Sequence, residues 1–247
     1  MSKYDVEYYR CVNCDFIQTE KPFWLKEAYG ETITNLDIGY VTRNLSFAET
    51  TRMLIRQRFN KKASFIDYGG GYGMFTRLMR DQGFSFYLED PYCENIFAKQ
   101  FHTGLLPKET KFELLTAFEV FEHLDNPIEE IDKMFAHSSS ILFSTELQPN
   151  NLTKKAEDWW YFTPETGQHI SLYTYKTLDF IAKKYNVNLY SNNYNLHLFT
   201  DKKFSVNPLK FISLYKYYKD KLFNMHFQNK NSLLQSDYAL IKKKINK

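Results

Sequence analysis

The sequence predicts an α/β fold, a mostly parallel sheet with helices against its faces. Three observations carry this. Apolar, strand-like runs at residues 65–68, 84–88, 112–120 and 140–145 alternate with stretches of helical spacing. The first run enters alternating glycines, Gly69, Gly71 and Gly73, then Phe75, Leu78 and Met79 at helical spacing until Gly83 stops the pattern. Polar groups follow the later runs directly, Asp90 after one and His123 after another, where open α/β sheets place ligands.

The composition narrows the class. The chain has 247 residues, 43% hydrophobic and 18% aromatic, so a large core is available. A net charge of +3 does not argue for nucleic acid or a membrane surface. No apolar run approaches the ~20 residues needed to cross a bilayer. The start, Met1-Ser2-Lys3-Tyr4-Asp5, lacks the apolar region of a signal peptide. Three cysteines make no disulfide framework, so a reducing, cytoplasmic location is expected.

Residues 1–44 read as an arm. Cys11 and Cys14 form a C-x-x-C turn, the shape of one zinc knuckle. A closed structural zinc site needs four ligands, and no second such pair follows. Pro22, Phe23, Trp24, Leu25 and Tyr29 are expected to pack on the main domain, residues 45–200. Ser46-Phe47-Ala48-Glu49 reads as a capping box opening a helix through about Phe59, with Arg52, Arg56 and Arg58 on a solvated face. The glycine turn comes next, with Asp67 two residues before its first glycine. It matches neither G-x-G-x-x-G, since Met74 occupies the third glycine position, nor a Walker loop. The next strand ends at Glu89 and Asp90. Asp90 stands about 20 residues past Gly69, where a carboxylate can accept nucleoside ribose hydroxyls.

A short helix is expected through Phe97 and Ala98, and a brief strand near Phe101. Asp125 or Asn126 caps a helix with Pro127 at its first position and Ile128, Ile131 and Phe135 as its apolar stripe. After the strand near residue 145, the aromatics Trp159, Trp160, Tyr161 and Phe162 precede Gly167, Gln168 and His169, as in a loop folded over a pocket. Thr174 caps a helix carrying Leu178, Ile181 and Tyr185. Residues 187–190 and 195–200 read as a closing hairpin. Residues 201–247 form a helical extension, with Leu209, Ile212, Tyr215 and Lys219 in step and a basic end at residues 242–247.

Three boxes resemble the class I S-adenosylmethionine (SAM)-dependent methyltransferases. They are D-x-G-x-G-x-G at Asp67, Gly69, Gly71 and Gly73; E-V-x-E-H-L at residues 119–124; and W-W-Y-x-x-P-x-T-G-Q-H-I-S-x-Y at residues 159–173. The last resembles a group linked to sugar and cell-surface polysaccharide pathways. The resemblance implies a Rossmann-like, seven-stranded sheet with one antiparallel strand. It implies SAM as cofactor and S-adenosylhomocysteine (SAH) as product. Asp67 would lie near the methionine amino group, the glycines against the cofactor, and Asp90 and Glu119 would complete its site. His169 and His123 become the catalytic candidates, and Gln168, Tyr161 and Trp160 the acceptor contacts. Convergence of both histidines with Glu122 or Glu146 would instead make a divalent-metal site. Cys11 and Cys14 would be half of the zinc ribbon carried by some such enzymes. The implied acceptor is a small, sugar- or nucleotide-linked molecule: a sugar hydroxyl or a phosphoramidate-type substituent of a capsule or O-antigen precursor. The rival readings are a nucleic-acid methyltransferase, against which the lysines crowded near the C-terminus argue, and a non-catalytic partner protein of the same fold. The sequence sets no oligomeric state.

Overall fold

The computed structural model describes residues 4–28, 37–149 and 159–226, and positions 239 and 243. Tyr29 and all of the basic end except Lys243 lie outside the described residues. The elements run β1 (Tyr8–Arg10), β2 (Ile17–Thr19), α1 (Leu25–Ala28), α2 (Tyr40–Arg58), β3 (Ser64–Tyr68), α3 (Met74–Asp81), β4 (Ser85–Glu89), β5 (Leu114–Ala117), α4 (Pro127–His137), β6 (Ser140–Ser144), β7 (Ser171–Leu172), α5 (Tyr175–Lys184), β8 (Asn188–Ser191), β9 (Leu196–Thr200) and α6 (Pro208–His226).

The main sheet has the order β4-β3-β5-β6-β9-β8. Strands β4, β3, β5 and β6 are parallel, and β9 runs antiparallel to both its neighbours. The α/β expectation holds, with the single reversed strand. The strand count differs: the sheet has six strands among the described residues. Where a seventh is implied, beside β4, the chain makes one parallel bridge, Leu88 to His102, before a 3-10 turn at Thr103–Leu105. The helix expected at Phe97 and Ala98 is absent. Asn95 accepts from the Ala98 N–H and donates to the Ala98 carbonyl, so a side chain closes this turn.

Alternation along each strand sorts the core. Phe65, Leu114, Leu142 and Leu198 face α2, α3 and α6, through Ile55, Met79 and Leu209. The next residues, Ile66, Leu115, Phe143 and Phe199, face α4 and α5, through Ile131, Met134 and Leu178. Both faces are apolar, as in a sheet covered on both sides. No helix among the described residues is long and apolar enough to cross a membrane.

Two helix starts contrast. Thr174 caps α5 as expected, in a box shared with Thr177. The pattern at Ser46 is not a cap, because α2 already begins at Tyr40. Ser46 lies inside the helix, where its carbonyl accepts from Thr50 and its hydroxyl from Lys216. Arg56 is exposed as expected, but Arg58 stacks 5.4 Å from the Phe204 ring. In α6, Leu209 and Ile212 are buried, whereas Tyr215 is half exposed.

The arm builds a second, antiparallel sheet, β1-β2-β7, with Ile17 opposite Leu172. Trp24 is buried and donates its indole N–H to the Gly167 carbonyl, while Phe23 is exposed and meets Trp24 edge-on. The arm therefore backs the 159–173 stretch.

Candidate active site

The strand order reverses direction between β3 and β5, and the carboxyl ends of these strands open the crevice where such sheets hold ligands. The glycine turn leaves β3 there, and residues 118–124 leave β5. Gly69, Gly71 and Gly73 all have positive φ, between 58° and 82°, which L side chains adopt at a cost. An added Cβ at Gly69 would lie 2.7 Å from Val120 Cγ2, and one at Gly73 2.8 Å from Asn95 Oδ1. At Gly71 the nearest atom would be the Tyr40 hydroxyl, 4.0 Å away, so this glycine borders open space.

The two acids take different places. Asp67 is buried beneath the turn, accepting from Thr76 Oγ1 at 2.9 Å and Thr116 Oγ1 at 3.1 Å. It ties β3 to α3 and β5. Burial pushes its carboxyl up to about 7, against the two hydroxyls, with Asp90 adding to the rise. Asp90 is half-buried at the end of β4. One oxygen accepts from the Gly71 N–H at 2.8 Å, the other from the Tyr92 and Cys93 N–H groups. It therefore holds the open part of the turn by its backbone.

The raised Asp67 carboxyl has a measurable consequence. The unfolded chain releases this proton near 3.8, the folded one only near 7. The folded state holds the extra proton between those values, so its contribution to stability is present below that window and is lost as pH rises through it. Asp67→Asn cannot ionise. Its melting temperature relative to the parent is expected to rise between about pH 5 and pH 8, by an amount equivalent to about 2–3 kcal/mol. A gap that stays constant with pH would refute this.

Residues 119–124 and 161–173 close together. The Ile170 N–H donates to the Glu122 carbonyl at 2.9 Å, Ser171 Oγ to the Leu124 carbonyl at 2.6 Å and the Tyr173 hydroxyl to the Phe121 carbonyl at 3.0 Å. This brings the His123 and His169 rings to 5.1 Å, edge to face. His123 Nδ1 is 2.9 Å from the Gln168 carbonyl and His169 Nδ1 2.6 Å from the Tyr161 carbonyl. A carbonyl only accepts, so each Nδ1 carries the proton and each Nε2 is the lone-pair nitrogen. Burial pushes His123 down to about 4 and His169 down to about 3, so both are neutral near pH 7.

Beside them, Glu122 is fully buried, and neither carboxyl oxygen has a hydrogen-bond partner. Burial first, then Glu119, pushes it up to about 8. The nearby Tyr161 hydroxyl works against this rise, and His123 Nε2 stands 4.0 Å from Glu122 Oε1. Glu119 stands at the mouth with positive φ, 55°, a strained position of the kind found at ligand sites. Its carboxylate accepts from Ser144 Oγ at 2.6 Å and pairs with Arg43 at 3.4 Å.

The remaining sequence candidates scatter. Trp160 is 66% exposed, its indole N–H on Glu146, and Tyr161 is buried between it and His169. The Gln168 amide donates to the Ala28 carbonyl at 2.8 Å, so it first fastens the arm. Cys11 and Cys14 sit in the turn between β1 and β2. Among the described residues no third His, Cys, Asp or Glu joins them in a ligand group; the group that forms is Glu122, His123 and His169. Sequence reading missed Tyr40 and Arg43, which α2 brings to the glycine turn and to Glu119. Only the true start of α2, six residues before the false cap at Ser46, would have shown them.

A family described as "Methyltransferase domain" matches residues 40–192. The structure is similar to that of a Burkholderia thailandensis 1,6-didemethyltoxoflavin-N1-methyltransferase with 1,6-didemethyltoxoflavin and SAH bound. That likeness has a TM-score of 0.50 and 10% identity, over 79% of this chain and 97% of that one. It is also similar to the plantazolicin methyltransferase BpumL in complex with SAH, at TM-score 0.50 and 13% identity, over 74% of this chain and 95% of that one. Among curated proteins, none matches the sequence.

Proposed function

The chain belongs to the methyltransferase-domain family, and from that premise we propose that it methylates a hydroxyl of a small sugar- or nucleotide-linked acceptor at the His123–His169 pair. It is a SAM-dependent methyltransferase, and both similar structures named above hold SAH. The glycine turn fits that cofactor, since Gly71 leaves open the volume a side chain would fill. The residues that would hold it are the backbone of Gly69, Gly71 and Gly73, the Asp90 carboxylate, Glu119 and the Tyr40 hydroxyl. Asp67 would act from below, as the brace of the turn. When bound, SAM supplies a methyl group already activated on a sulfonium.

One observation carries the acceptor side: two neutral imidazoles stand 5.1 Å apart, each with Nδ1 on a backbone carbonyl and Nε2 as its lone-pair nitrogen. A hydroxyl oriented there would give its proton to His169 Nε2 as its oxygen accepts the methyl group, with SAH as the leaving product. Positioning supplies ~7–11 kcal/mol, and a placed base ~10²–10⁴-fold. Trp160, exposed and fixed through Glu146, offers an apolar face on which a sugar ring stacks. The resemblance of residues 159–173 to boxes of polysaccharide pathways supports a capsule or O-antigen precursor, methylated on a sugar hydroxyl or a phosphoramidate substituent.

The test has two steps. SAM or SAH at 100 times its Kd is expected to stabilise the protein by about 2.7 kcal/mol, read as a rise in melting temperature. Incubation with SAM and a panel of nucleotide sugars should then yield a methylated sugar. The proposal fails if neither ligand shifts melting, or if RNA is methylated and the sugars are not.

A further inference from the structure

We infer that Glu122, His123 and His169 form a binding site for one divalent first-row transition-metal ion. One potential ligand atom from each lies within 4.8 Å of the other two; ligands of one tetrahedral ion with bonds of about 2.0–2.2 Å lie roughly 3.4 Å apart, so the three side chains would draw in by about an ångström to close on it. The residue types suit it: two imidazoles and one carboxylate, leaving coordination positions for substrate, occur at zinc and non-haem iron centres.

Two independent features point to a ligand at this place. A carboxyl group fully removed from water normally carries hydrogen bonds, and leaving it without them is costly. Glu122 is fully buried and both its oxygens lack them. Its neighbourhood is otherwise well bonded, as the pinned carbonyls of Phe121, Glu122 and Leu124 show. The second feature is the paired tautomers. Metal-bound histidines commonly donate their other ring N–H to a backbone carbonyl, which fixes the ring and directs the lone pair. His123 and His169 both do so. The carbonyls come from Gln168 and Tyr161, in the stretch that also carries His169. One loop thus sets both rings.

The existence of the site does not depend on the acceptor; its catalytic consequence rests on the methyl-transfer reading above. With the ion bound, both lone pairs are engaged and the acceptor oxygen occupies an open coordination position. The O–H bond becomes more acidic there, its proton passes to solvent water, and the oxygen takes the methyl group as the C–S bond breaks. An Nε2 lone pair held by the ion cannot take a proton, so in the metal-bound protein this step replaces the one assigned to His169 as base above.

The test uses the full chain stripped with a chelator and dialysed. Titration with Co²⁺, followed by visible absorption, and with Zn²⁺ or Mn²⁺, followed by calorimetry, should give one ion per chain without SAM. Glu122→Gln and His169→Ala should each weaken binding by about 100-fold or more, while the double variant Cys11→Ser, Cys14→Ser binds as the parent does. Melting curves with SAH identify variants that remain folded. X-ray absorption on the Zn²⁺-loaded parent, which needs no variant, should show nitrogen and oxygen ligands only. Absence of stoichiometric binding, unchanged affinity in both folded variants, or sulfur ligation overturns the site. Full turnover by protein shown to be free of metal overturns its catalytic role. Metal bound at these residues in a protein that methylates no sugar keeps this inference and sinks the acceptor proposal.

Discussion

Turnover of a His169→Ala variant is expected to fall by about 10²–10⁴-fold, with SAM affinity changed by no more than a few-fold. The two quantities separate because the residue lies on the 159–173 stretch, against Tyr161 and His123, and not on the glycine turn. The loss follows whether the imidazole takes the proton itself or holds an ion. Some stability goes with it. The variant leaves the buried Tyr161 carbonyl without the Nδ1 donor, which costs about 1–3 kcal/mol, or several degrees of melting temperature in a chain of this size. Rates are therefore compared well below the variant's own melting point. Unchanged turnover on the true acceptor would remove His169 from the chemistry.

A Gly69→Ala variant is expected to lose about 2–5 kcal/mol of stability and nearly all SAM binding, for two separable reasons. The left-handed backbone at this position, φ 66°, costs an alanine about 1–2 kcal/mol. Its methyl would also lie 2.7 Å from Val120 Cγ2, an overpacking worth about 1–3 kcal/mol. Val120 belongs to the box that carries Glu119, Glu122 and His123, so displacing it disturbs both halves of the crevice. Adding Val120→Ala removes the clash and leaves the backbone strain. The double variant should recover part of the lost melting temperature. If it melts no higher than the single variant, the contact with Val120 is not what the glycine protects.

The order of strands and helices was largely legible in the sequence, because both faces of the sheet are covered and its strands read as apolar runs. The glycine turn and the place of Asp90 at the end of β4 were legible through fixed spacing along one strand-turn-helix unit. What could not be read depends on partners distant in sequence. Glu122 and His123 lie beside His169 only because the Ile170 N–H meets the Glu122 carbonyl and Ser171 meets Leu124, and no local period encodes such bonds. Ser46 misled for the opposite reason: it has the residues of a cap, but in α2 its hydroxyl accepts from Lys216, far along the chain. Gln168 reads as a pocket residue by its neighbours, yet its amide reaches Ala28. His197, a plain strand residue by pattern, is wholly buried between Ser191 and the Thr145 carbonyl.

The pairing of β2 with β7 ties the first segment of the chain to the loop that carries His169. Ile17 and Leu172 are partners far apart in sequence, and closing so long a loop costs entropy. The carbonyls that orient both imidazoles lie in the stretch this segment backs. Detaching that segment would loosen the imidazoles and leave the seat of the methyl donor, built on the main sheet, in place.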